Sequence, residues 1–168
     1  IYNYREIRNQ IHDYAFRTQS DTEVLLAAFQ TWGIKSLQML NGMFAFALWD
    51  NLDKKLWLVR DRLGIKPLYY AEKNGAIFFS SEIRSILASG LVDRKLNKNA
   101  LVEYLQYQCV HAPNTMVEGI QMLNAGSYME ISDESISTHL FWKPWQEKHT
   151  DKDPIQIQKK IRDLLTAS

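Results

Sequence analysis

The chain has 168 residues, 46% of them hydrophobic, which is enough for one full core or for one core and the start of another. Twenty basic residues against nineteen acidic ones leave a net charge of +1 with no long Lys/Arg run, which argues against nucleic acid as a partner. The longest apolar run, Met43 to Trp49, is far short of the roughly 20 residues a membrane-spanning helix needs, and no secretory signal pattern opens the chain, so no membrane partner is expected. A lone cysteine, Cys109, builds no internal disulfide, and His12, His111, His139 and His149 are dispersed without metal-ligand spacing. A reducing, cytoplasmic setting and no metal in this chain are the expectation.

In chain order, the spacing of Ile7 and Ile11 predicts a short helix from Tyr4 to Tyr14. Ser20 with Glu23 three residues later forms a capping box that opens a helix through Val24, Leu25, Ala28 and Phe29, and Gly33 is placed to end it. Another short helix is predicted from Ile34 to Leu40. Asn41-Gly42 then breaks the chain before a buried strand, Met43 to Trp49, and a turn at Asp50–Lys54 leads to its partner, Lys55 to Arg60. Leu63-Gly64 marks a bend before a strand from Pro67 to Ala71, and Asn74-Gly75 is a strong hairpin signal leading into Ala76 to Phe79.

Ser80 or Ser81 is suited to cap a helix ending at Gly90, and Asn97 to cap one through Ala100, Leu101, Tyr104 and Leu105. Ile120 to Ile131 and Ile136 to Trp142 read as a strand pair, the first interrupted by Asn124-Ala125-Gly126. Hydrophilic residues 146–153 read as a linker. Asp153-Pro154 then starts a helix whose Ile157, Ile161, Leu164 and Leu165 share one face. That stripe needs a cover, either a further domain or the main core. Helices, then antiparallel-looking strands, then helices predict an α+β sandwich rather than a βαβ wind.

The segments IYNYREIR (1–8), SDTEVLLAAFQTWG (20–33), LNGMFAFALWD (40–50), RDRLGIKPLYY (60–70) and SSE (80–82), followed by GIQMLNAGSYMEI and FWKPW, resemble the glutaminase domain of the glutamine-hydrolysing asparagine synthetases. The resemblance implies an N-terminal-nucleophile fold: a four-layer sandwich of two antiparallel sheets between helical layers, incomplete here at the N-terminus. It divides the chain into a glutaminase domain over 1–145 and, over 146–168, a linker and the first helix of a synthetase domain. It implies that an N-terminal cysteine attacks the glutamine side-chain amide and that ammonia passes to an adenylate made from aspartate and ATP. A thiolate is a suitable nucleophile near neutral pH, and its tetrahedral intermediate needs preorganised donors for the oxyanion.

By the same resemblance, the nucleophilic cysteine and the Asn-Gly-Glu with the oxyanion donors fall before Ile1, and the SGGLDS-type pyrophosphate loop falls after the last helix. The chain then reads as a fragment that is inactive alone, with no catalytic residue and no cofactor of its own. ATP and magnesium belong to the synthetase domain. The implied partners are glutamine and that domain, and a homodimer is left open. Asp21, in SDTE, matches the aspartate that holds the α-ammonium of glutamine, and a carboxylate is a suitable partner for that charge. Taken alone, an Asp in a first helical turn is also explained by the helix dipole.

Cys109, within YLQYQCVH, reads as a small buried hydrophobe despite His111 nearby. Arg60, Asp61 and Lys66 flank Gly64 and Pro67 and read as loop braces, with the interdomain face as one location. Trp142 and Trp145 around Pro144 read as cover for a core edge or contacts to another domain, and Glu82 as first-turn helix chemistry. The rival readings are another class II amidotransferase, such as the phosphoribosyl-pyrophosphate amidotransferase, and a non-catalytic binding module of the same fold.

Overall fold

The structure, a computed structural model, describes residues 1–145 and 153–167. Helix α1 spans Tyr4–Asn9 and α2 spans Asp21–Trp32. The predicted extension of α1 to Tyr14 does not form. The Gln10 and Ile11 N–H groups donate to the carbonyls of Ile7 and Arg8, three residues back, and tighten the last turn to a close. Ser20 caps α2 as expected, its hydroxyl accepting from the Glu23 N–H at 3.3 Å. The reciprocal half of the box differs: the Glu23 carboxylate accepts from the N–H groups of Arg17 and Thr18 and from the Thr18 hydroxyl. Gly33, at φ +60, ends α2 and starts a 3₁₀ turn over Gly33–Gln38, where a short helix was expected.

The strands are β1 (Ala45–Asp50), β2 (Lys55–Arg60), β3 (Tyr69–Lys73), β4 (Ala76–Ser80), β5 (Gln121–Met122), β6 (Ser127–Ile131) and β7 (Ile136–Leu140). They form two antiparallel sheets, one ordered β1-β2-β6-β7 and the other β4-β3-β5. The β3–β4 turn is the expected one, with Asn74 and Gly75 at φ +54 and +76, the doubly left-handed pair of a tight hairpin.

Alternation along β2 defines the layers. Trp57 and Val59 point to a cluster with Ile7 of α1, Val24, Ala27 and Ala28 of α2, and Leu37. Leu58, between them, points the other way, to Leu68, Leu123 and Met129, with Tyr70 and Ile77 of the second sheet packed alongside. On the far face of the second sheet, Ala71 and Ile120 pack on Ile86 of α3 (Ile83–Ala88). The order helix, sheet, sheet, helix is the expected four-layer sandwich.

Several expectations need correction. The Met43–Trp49 run is half-buried, and Trp49 is 55% exposed, because β1 is an outer strand of its sheet. Residues 120–131 are not one interrupted strand. At Asn124-Ala125-Gly126 the chain leaves the second sheet, where β5 pairs with β3, and crosses to the first, where β6 pairs with β2. Helix α3 is preceded by Glu82 in extended conformation rather than by a serine cap. Ser80 contributes by accepting from the Glu82 N–H, and the Glu82 carboxylate pairs with Arg84 at 2.6 Å.

Helix α4 (Lys98–Tyr107) opens on Asn97, whose side chain accepts from the Asn99 and Ala100 N–H groups, as expected. Helix α5 (Pro154–Ala167) leaves Ile157, Ile161 and Leu164 exposed, and among the described residues it packs on no other element. The stretch 146–152, within the expected linker, lies outside the described residues. No described helix is long and apolar enough to cross a membrane.

Candidate functional site

A cleft of about 390 Å³ opens between the start of α2 and strand β1, lined by Ile1, Asp21, Leu25, Phe44, Lys66 and Ser81 among others. Residues 1–3 are stitched to its rim. The Tyr2 N–H donates to the Asn41 carbonyl at 2.8 Å, and the Asn3 side chain both donates to the Met39 carbonyl and accepts from the Asn41 N–H. Gly42 permits this approach, since a Cβ there would stand 2.9 Å from the Ile1 Cα.

Asp21 is the first residue of α2, set at the cleft by the Ser20 cap. Its Oδ2 accepts from the Ile1 backbone nitrogen at 2.8 Å, and its side chain stays 45% exposed. The site thus presents a carboxylate at the mouth of a partly apolar cleft.

Arg60 and Asp61 build the wall that carries Lys66. The Arg60 guanidinium is buried and donates to the carbonyls of Lys66 (2.9 Å), Leu123 (2.7 Å) and Gly64 (2.6 Å). Burial holds its pKa below the usual value, with the Asp61 charge partly offsetting this. Asp61, 1% exposed, accepts from the N–H groups of Phe44, Leu63, Ile65 and Lys66. Both are loop braces, as expected, and the partners named are backbone groups. Lys66 reaches the Asp21 cleft, as does Ser81 of the SSE motif. Sequence patterning had no signal for this, because the loop and β1 are brought to α2 only by packing.

The other candidates lie elsewhere. Trp142 packs against the α1/α2 core, as expected for edge cover, while Trp145 is 85% exposed. Cys109 contradicts its reading as a buried hydrophobe. It is exposed, because the chain turns outward after α4, and its Sγ lies 3.6 Å from His111 Nε2. Among the described residues, no group of three or more His, Cys, Asp or Glu side chains converges as a metal site.

Two antiparallel sheets packed face to face between helices, with a cleft at the start of β1, define the class of N-terminal-nucleophile amidotransferase folds. The solved structure of Bacillus subtilis glutamine phosphoribosylpyrophosphate amidotransferase complexed with ADP and GMP has this fold. It matches 83% of this chain and 27% of its own at a TM-score of 0.60 and 21% identity. The chain belongs to the glutamine amidotransferase domain family, whose model matches residues 1–142. Among its relatives, Bacillus subtilis asparagine synthetase [glutamine-hydrolyzing] 1 is 36% identical over 169 residues, 98% of this chain and 26% of the relative. A putative asparagine synthetase [glutamine-hydrolyzing] of Mycobacterium tuberculosis strain H37Rv is 38% identical over 143 residues, 82% of this chain and 22% of the relative. The chain thus spans about a quarter of the length of these curated relatives.

Proposed function

We propose that this chain is the glutamine-binding part of a glutamine-hydrolysing asparagine synthetase and that Asp21 holds the α-ammonium of glutamine. The observation that carries the reading is the Asp21 carboxylate, placed at the start of α2 and still 45% exposed where it lines the cleft of about 390 Å³. The α-ammonium of a glutamine in the cleft would meet a charged acceptor there. Relatives whose names specify glutamine hydrolysis, matched over nearly the whole chain, support the substrate. The phosphoribosylpyrophosphate amidotransferase reading is not favoured, since that likeness, at 21% identity, is one of fold.

In this reading residues 1–145 form the glutaminase domain and 146–168 lead into a synthetase domain. The end of the family match at residue 142 and the separateness of α5 support that boundary. The nucleophilic cysteine and the oxyanion donors are assigned to residues other than these 168, which bind glutamine but do not hydrolyse it alone. ATP and magnesium are assigned to the synthetase domain, which takes the ammonia in a cytoplasmic enzyme.

Calorimetric titration of glutamine tests the site. The chain is expected to bind glutamine and the near-isosteric Asp21→Asn variant to bind it about tenfold or more weaker, since a charge-assisted partner is lost. Equal heats from the two proteins, or no binding by either, overturn the assignment.

A further inference from the structure

Cys109, His111 and Glu103 meet where α4 ends, and none of them lines the Asp21 cleft. Gln108 takes the left-handed conformation, at φ +58, and turns the chain so that His111 comes back over Glu103, one helical turn from the end of α4. The His111 backbone N–H donates to Glu103 Oε1 at 3.0 Å, and the His111 Nδ1 meets the same oxygen at 2.5 Å. Asn114 Nδ2 reaches the other carboxylate oxygen at 3.5 Å, and the Tyr107 ring stands edge-on to the imidazole with centroids 6.0 Å apart. The Glu103 carboxylate and the Tyr107 ring hold the imidazole, and the His111 backbone N–H and Asn114 hold the carboxylate.

The contacts also assign the tautomer. A carboxylate accepts only, so Nδ1 carries the proton and Nε2 presents its lone pair. Nε2 is the atom 3.6 Å from Cys109 Sγ, and the thiol is open to solvent. The arrangement is a nucleophile, a base within reach of its proton and a carboxylate that orients the base, the three parts an activated thiol requires. The Glu103 carboxyl, held below its usual value chiefly by the His111 side-chain hydrogen bond, is suited to steady a positive ring.

We infer that Cys109 is a modification site, an activated thiol that exchanges with small disulfides. In the step, the Cys109 thiol passes its proton to His111 Nε2 and its sulfur attacks one sulfur of a disulfide. The bond from Cys109 Sγ to that sulfur forms as the disulfide bond breaks. The departing thiolate takes the proton back from the imidazolium and leaves as a thiol. One thiol and one disulfide are consumed and one of each is made, Cys109 being oxidised as the leaving sulfur is reduced. The product is a mixed disulfide at the end of α4.

Because the chain has one cysteine, any adduct lies at Cys109. Bis(2-hydroxyethyl) disulfide is added to the 168-residue chain and to its His111→Gln and Glu103→Gln variants, and the mixed disulfide is followed by intact mass. The folded parent is expected to react about tenfold faster than His111→Gln, with Glu103→Gln between them. Unfolding in urea is expected to bring the parent down to the rate of unfolded His111→Gln. The His111 side chain is 64% exposed, so its replacement leaves the fold intact, and the urea comparison needs no folded variant. Equal rates in the folded parent and folded His111→Gln, or a parent rate that survives unfolding, overturn the inference.

Discussion

At the scale of single residues, two carboxylates have different surroundings. Asp21 lines the cleft and stays 45% exposed, whereas Asp61 is buried and spent on four backbone N–H groups, that of Phe44 just before β1 and those of Leu63, Ile65 and Lys66. Removing the Asp61 side chain leaves one buried and three half-buried donors without their acceptor. Asp61→Ala is therefore expected to lower unfolding stability in urea by about 3 kcal/mol or more, with Asp61→Asn costing less because it keeps one acceptor oxygen. A loss within the range of an ordinary surface substitution would show that water replaces those contacts. The bracing role of Arg60 and Asp61 was legible from their position beside Gly64 and Pro67. Their partners were not, because the carbonyl of Leu123 and the N–H of Phe44 leave no mark in a pattern of side chains.

At the scale of elements, local turn chemistry and long-range crossing place different demands on glycine. Gly75, at φ +76 in the β3–β4 hairpin, has nothing within 4 Å of a Cβ position, so Gly75→Ala meets only backbone strain of about 1 kcal/mol. Gly126, at φ +62 where the chain crosses between sheets, would bring a Cβ to 2.6 Å from the Trp142 carbonyl oxygen. Strain and a backbone clash then add, and Gly126→Ala is expected to cost about 3 kcal/mol, more than Gly75→Ala, in parallel urea titrations. The reverse ranking would count against the crossing. Asn74-Gly75 announced its hairpin because only a few residue types accept two left-handed conformations in succession. The crossing at 124–126 looked like a break within one strand, because the runs on either side read alike whichever sheet they join.

At the scale of the whole molecule, helix α5 lies outside the core of residues 1–145 among the described residues. The three apolar clusters draw on residues of the sandwich alone, and α5 contributes to none of them. A chain ending after Trp145 is accordingly expected to melt at the same temperature as the 168-residue chain in scanning calorimetry. A drop of several degrees would place α5 on the core, the other cover allowed by its apolar stripe.

By itself the sequence determined the family, the caps at Ser20 and Asn97, the stops at Gly33 and Gly90 and the β3–β4 hairpin. Each depends on backbone conformation or hydrogen bonding within a few neighbouring residues. Only the tertiary structure decided that β1 is an outer strand, that β5 and β6 belong to different sheets, and that Asp21, Lys66 and Ser81 share one cleft. It alone placed Cys109 in the open beside His111 and Glu103. Burial and side-chain convergence depend on which surfaces pack together, and residues far apart in the chain carry no local signal of the neighbours that folding gives them.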